Sequence, residues 1–161
     1  MAKAVLAAGK GADRPFDRAV ALLGGERMFA VPIESPLDAH QVIMNGFPGK
    51  ALNFLADEIV VLNLEEMLEK AIGISPRTYQ RRKKQGSGKP LSSEQSGRMW
   101  KYAEIMARAM VLFGTQEDAE TWLNSPAMGL NQQRPIDLLG TPAGVELVEG
   151  LLGRMEYGVY T

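Results

Sequence analysis

Six polar residues in this chain stand immediately before apolar, helix-spaced runs, and three of them are followed by proline: Ser35-Pro36, Ser75-Pro76 and Thr141-Pro142. The other three are Asn63, Ser92 and Thr115. A Ser, Thr or Asn side chain accepts a hydrogen bond from the free amides of a first helical turn, and proline at the next position lacks an N–H that would be orphaned there anyway. These start signals run from residue 35 to residue 141 and leave little chain for strands. Ile59 to Leu62 is apolar enough for a short strand, but no second run exists to pair with it, and an unpaired strand leaves its backbone groups unsatisfied. The expected fold class is all-α, with helices around one core.

The stripes between the caps agree. Leu64, Met67, Leu68, Ala71 and Ile72 recur at three and four residues behind Asn63, with Glu66 placed to reach back to the cap. Gly73 ends that helix, Ile74 is a buried plug, and Ser75-Pro76 opens the next. Residues 64–84 therefore read as helix, tight turn, helix, the layout whose second helix enters the DNA major groove. Leu52, Leu55, Ala56 and Ile59 mark a helix before it. Ser92-Ser93-Glu94-Gln95 is a capping box opening the longest helix, with Met99, Ala103, Met106, Met110 and Phe113 inward and Glu104 paired to Arg108 outside. Gly114 stops it, and Thr115 caps a helix burying Ala119, Trp122 and Leu123, with Trp122 expected between the long and the last helix. The last helix follows Thr141, with Val145, Val148, Leu151, Leu152 and Met155 inward. Gly150 and Gly153 inside it suggest either a surface where something packs closely or simple tolerance of weak helix formers.

Charge is distributed unevenly. The chain has 18 Lys and Arg against 19 Asp and Glu, yet residues 73–89 hold six of the former and none of the latter, leaving 12 against 19 elsewhere. A concentrated basic helix on an acidic body suits a phosphate backbone. Arg77, Gln80 and Arg81 are placed to face base edges, and Thr78, Arg82, Lys83 and Lys84 to face phosphates. Arg82 is expected beside Tyr79 against the first helix, its stem packed and its guanidinium extended to a phosphate. Contact with an acidic protein surface is the alternative reading of the same helix.

Enzyme chemistry finds few candidates. Cysteine is absent and His40 is the one histidine, so His/Cys metal sites and thiolate catalysis are excluded; no catalytic residue, metal or cofactor is expected. Gly88-Lys89-Pro90 lacks the earlier glycine of a phosphate loop and has proline where a magnesium-binding hydroxyl belongs. Glu117, Asp118 and Glu120 sit at a helix N-terminus, where the dipole accounts for them. The nine methionines fall largely on the core stripes. The first residues have too short an apolar run for a signal peptide and no stretch is long enough to span a membrane, so a cytoplasmic location is expected.

The expected organisation is an N-terminal arm over residues 1–34 that orders against a partner, a helical region over 35–89, and a small helical domain over 90–161. The chain ends in Arg154-Met155-Glu156-Tyr157-Gly158-Val159-Tyr160-Thr161, an aromatic tail suited either to folding back on the core or to docking in another protein's pocket.

These residues together resemble the Xre/MbcA/ParS group of bacterial antitoxins. The likeness runs through the helix-turn-helix, then Pro90-Leu91-Ser92 to Arg98, then Phe113-Gly114, Ala119-Glu120-Thr121-Trp122-Leu123, Pro126, Leu130, Arg134 to Leu139, Gly144, Val148 and Tyr157-Gly158. Gln95 and Gly97 depart modestly from the family pattern, and the first 60 residues lie largely outside it. The resemblance implies a helix-turn-helix domain followed by a toxin-binding domain, and a non-catalytic role. It also implies a cognate RES-domain toxin that uses NAD and resembles ADP-ribosyltransferases, with operator DNA as a second ligand of a homodimer. On that footing Arg154, Glu156, Tyr157, Gly158, Val159, Tyr160 and Thr161 are the expected toxin contacts, closing its NAD pocket. The runner-up is a dimeric helix-turn-helix regulator without a toxin partner.

Overall fold

Helix α6, Ser93–Phe113, runs through the middle of the molecule and is buried nearly all round: Met99, Tyr102, Ala103, Ile105, Met106, Ala107 and Ala109 are all enclosed. A helix apolar on every side has to be surrounded by others. The computed structural model describes residues 14–86 and 88–158, and over them α1 (Pro15–Leu22), α2 (Pro36–Asn45), α7 (Gln116–Leu123) and α8 (Pro142–Glu156) pack on α6. Between α2 and α6 lie α3 (Gly49–Asp57), α4 (Leu64–Met67), a π-helical turn continuing α4 over Leu68–Ile72, and α5 (Pro76–Lys84). Short 3-10 turns at Met128–Leu130 and Pro135–Leu138 join α7 to α8. Among the described residues no strand forms beyond a single bridge between Ala127 and Gln133, and no helix is long and apolar enough to cross a membrane.

The caps read from the sequence are in place. Ser35 forms a full capping box with Asp38, and Ser92 forms one with Gln95. Asn63, Ser75, Thr115 and Thr141 each accept a first-turn amide. Gly73 takes φ +83°, and its amide and that of Ile74 both donate to the Leu68 carbonyl, at 2.7 and 2.9 Å. A side chain at Gly73 would also run into the Arg98 guanidinium, so glycine is required there twice over.

Several expectations need correction. Residues 14–34 are not an arm awaiting a partner: α1 lies on α6, and Ala19, Leu22, Leu23, Phe29 and Ile33 join the common core. Phe16 meets Trp100 edge-on at 5.5 Å. The glycine and alanine content masked a helical stripe, Phe16, Ala19, Val20 and Leu23. Residues 1–13 lie outside the described chain. Trp122 is half-buried on Phe113, with ring centres 5.7 Å apart, and Leu123 fills the enclosed place on α7. Arg108 pairs with Glu156 on α8 instead of Glu104, which binds Lys101. The close approach on α8 is at Gly144, where a Cβ would lie 1.9 Å from the Leu138 carbonyl oxygen; Gly150 and Gly153 meet only ordinary contacts.

Candidate functional site

Helix α5 is anchored by one side chain. Tyr79 is 2% exposed, and burial, with Asp57 nearby, pushes its hydroxyl pKa up. Around that anchor the outer face shows Arg77, Gln80, Arg81, Lys83 and Lys84, all exposed, with Thr78 half-buried and hydrogen-bonded to Ser75. No carboxylate pairs with these four cations among the described residues. Lys83 sits 5.5 Å from the Tyr79 ring centre, within cation–π range. Six of the seven expected DNA-facing residues therefore share one surface. Arg82 departs from it: its guanidinium donates to the carbonyls of Lys89 and Pro90 at 2.9 and 3.4 Å, bracing the loop after α5. Those two bonds use two of the guanidinium's five N–H donors and tie Arg82 to the chain that follows α5.

The first helix of the pair is held from behind by the C-terminal half through three polar ties. Arg98 on α6 donates to the carbonyls of Ala71 and Lys70, at 2.9 and 3.0 Å, which are the orphan acceptors at a helix end. Arg134 spans Glu66, Asn124 and Asp137, and Asp137 also receives Lys70. Donating hydrogen bonds to Asp137 and then to Glu66 raises the Arg134 pKa, and Arg134, with Lys70 adding, holds the Asp137 carboxyl below its usual value. Glu66 thus faces Arg134 and does not reach back to its own cap.

The third tie is Glu120. Its side chain is fully buried, and one oxygen accepts the amides of Val60, Val61 and Leu62, each at 3.0 Å. Gln116 donates to the second oxygen at 2.8 Å and to the Glu58 carbonyl at 2.7 Å. The apolar run that resembled a strand is therefore a loop whose amides converge on one carboxylate. The dipole account of Glu120 is replaced by this one, because a buried charge needs several donors. Burial first, and Glu120 second, drive the Tyr102 hydroxyl far above its ordinary pKa. Arg98, Glu120 and Arg134 all belong to segments singled out in the sequence, yet none shows its role there, since each contacts residues 27 to 68 positions away.

At the far end of α8, Arg154 is half-buried, and Glu156 is bound by Arg108 at 2.8 and 3.1 Å. Glu156 is thus paired within the chain. Tyr157 is 87% exposed. Gly158 follows with φ +74°, and Val159, Tyr160 and Thr161 lie outside the described residues.

Residues 38–104 match the antitoxin Xre-like helix-turn-helix domain, and residues 108–158 match the antitoxin Xre/MbcA/ParS C-terminal toxin-binding domain. Helix α6 is shared between them. Among similar proteins, an antitoxin Xre of Yersinia enterocolitica is 36% identical over 93 residues, 57% of this chain and 62% of that protein. An antitoxin Xre of Photorhabdus laumondii is 30% identical over 129 residues, 71% of this chain and 86% of the relative. The chain thus spans about three-fifths of the Yersinia relative and most of the Photorhabdus one.

Proposed function

The chain belongs to the Xre antitoxin family, and from that premise we propose that it is the antitoxin of a type II toxin–antitoxin pair. Its partner in this reading is a RES-domain toxin, ADP-ribosyltransferase-like and NAD-using, which it inactivates by covering the active site. The observation that carries the reading is Tyr157, almost wholly exposed at the end of α8 within the segment matching a toxin-binding domain. A nucleotide cleft is concave, partly apolar and shaped for a flat ring, and tyrosine offers large contact area at low entropic cost. The occupant is the end of the chain, Tyr157 to Thr161, with Gly158 letting the backbone turn inward. Arg154 supports the same end of α8. Glu156 contributes through Arg108, by fixing where α8 stops.

The same protein represses its own operon in this reading, as a cytoplasmic homodimer. Four exposed cations on α5 that pair with no carboxylate among the described residues favour it, because none is already engaged by a carboxylate that a phosphate would have to displace. A two-fold dimer would set two copies of α5 about one helical turn of DNA apart, roughly 34 Å. The function is tested by co-expressing a RES-domain toxin encoded beside this gene with the full chain or with residues 157–161 deleted. Cell growth and NAD level are the readouts. The full chain is expected to protect, and the folded truncation to lose most protection; equal protection by both moves the blocking surface elsewhere.

A further inference from the structure

Helix α8 begins beside the start of α6, and an open groove of about 520 Å³ lies between the two beginnings. Leu139, Pro142 and Val145 give it an apolar lining. Five charged residues also line it, and three of them are engaged. Lys101 is bound by Glu149 at 2.9 Å and by Glu104 at 3.2 Å, and Arg98 donates to the carbonyls of Ala71 and Lys70. Glu94 and Glu146 remain. Both are exposed, and neither pairs with a cation among the described residues. An apolar lining beside two uncompensated carboxylates complements an apolar side chain flanked by Lys or Arg. A purely apolar or an anionic ligand would desolvate those carboxylates and replace nothing they lost.

Charge and position both point to the toxin as the occupant. The lining from residue 139 to residue 149 falls inside the segment, residues 108–158, that matches a toxin-binding domain. Residues 91–161 hold five Lys and Arg against nine Asp and Glu, so this half is acidic. A toxin that takes up an anionic dinucleotide needs positive potential around its cleft, and the rim of such a cleft supplies the cations the groove lacks. The groove also shares a face of α8 with the exposed ring of Tyr157. Glu146 and Tyr157 are eleven residues apart, three helical turns, or about 17 Å along the axis. Between them that face carries Gly150 and Gly153, so no Cβ stands between groove and ring.

We propose that this groove is a second docking point for the toxin, distinct from the tail. It receives an apolar side chain of the toxin over Leu139, Pro142 and Val145, with flanking Lys or Arg against Glu94 and Glu146. The inference rests on the toxin-partner reading above and divides the work of binding between two sites. Exposed charges at a rim steer the encounter and fix its register, so the groove governs the association rate. Buried contacts govern how long a complex lasts, so residues 157–161 govern dissociation.

Biolayer interferometry of the full chain against the RES-domain toxin encoded beside its gene, at several salt concentrations, tests this division. Glu94→Lys with Glu146→Lys should slow association at least about ten-fold at low salt and flatten its salt dependence, while dissociation changes by no more than about three-fold. Deleting residues 157–161 should do the reverse. Glu26→Lys with Glu69→Lys makes the same change in net charge at exposed residues outside the groove, and association should stay within about two-fold of the parent. If the lysines unsettle the starts of α6 and α8, Glu94→Gln with Glu146→Gln carries the same expectation at smaller size. Because the chain has no cysteine, an environment-sensitive dye can be placed on Ser93→Cys alone, in the groove wall. Its emission should shift on adding toxin, with or without residues 157–161. Equal association rates for groove and control reversals, or a dye the bound toxin leaves unchanged, would overturn the groove and leave the tail reading standing. A parent chain that does not bind the toxin would overturn both.

Discussion

Both carboxylate oxygens of Glu120 accept the backbone amide of Val60, at 3.0 and 3.1 Å, across sixty residues of sequence. With Val61 and Leu62 donating to the same group, the loop that precedes the helix-turn-helix is held by a side chain of the toxin-binding half.

Glu120→Ala should destabilise the protein by about 3–5 kcal/mol, because it removes the buried acceptor of several amides and leaves them unpaired. Glu120→Gln keeps one acceptor oxygen but turns a donor toward other donors, and about 2–3 kcal/mol is expected. Urea denaturation gives both values, and hydrogen exchange should show the amides of Val60 to Leu62 losing protection. An alanine variant with an unchanged midpoint would refute the clamp.

Two glycines on α8 should respond in opposite directions. Gly144→Ala sets a methyl group 1.9 Å from the Leu138 carbonyl oxygen, so the backbone has to move and the melting temperature should fall by several degrees. Gly150→Ala meets nothing closer than 3.7 Å and should stabilise by about 0.5–1 kcal/mol, through lower unfolded-state entropy and better helix propensity. Thermal melts of the two variants side by side decide it.

On operator DNA, Arg81→Ala should cost about 1–3 kcal/mol concentrated at one base position. Lys83→Ala with Lys84→Ala should weaken binding to all sequences and lower the salt slope by about two. Arg82→Ala is expected to leave that slope unchanged and to act by loosening residues 89–90. Fluorescence anisotropy on the gene's own promoter at several salt concentrations measures all three; a slope lowered equally by Arg82→Ala would return that residue to the phosphate-binding set.

Acid should weaken the clamp around Arg134. Hydrogen bonds from Arg134, with Lys70 adding, hold the Asp137 carboxyl below its ordinary value against a smaller opposing effect of burial. A folded-state pKa below the unfolded one stabilises fully above the unfolded value, about 3.9, and the gain disappears as pH falls through the folded pKa. Asp137→Asn should therefore lower the melting temperature at neutral pH and lose less than the parent between pH 6 and pH 3. Parallel losses in the two proteins would place the acid sensitivity at other carboxylates, Asp38 among them, whose pKa its cap hydrogen bonds also depress.

What the sequence determined by itself was local. Helix starts at Ser35, Asn63, Ser75, Ser92, Thr115 and Thr141 are readable because a cap acts within three residues of its own position. The Gly73 turn and the plug Ile74 are readable for the same reason, and the all-α fold and the basic helix α5 follow from them. Only the tertiary structure decided what depends on distant partners. Glu120 looked like a dipole-stabilised surface acid until the loop at 60–62 came against it, and the bond from Arg82 to the Lys89 carbonyl appears only once the chain has returned past α5. Trp122 had the composition of a core residue, but the face of α7 turned inward carries Ala119, Glu120 and Leu123, and Trp122 lies at its edge, half-buried on Phe113. Caps and stripes are encoded within a turn or two of helix; burial and charge pairing are properties of the assembled packing, where one carboxylate can be a surface charge or a buried anchor according to what the fold brings beside it.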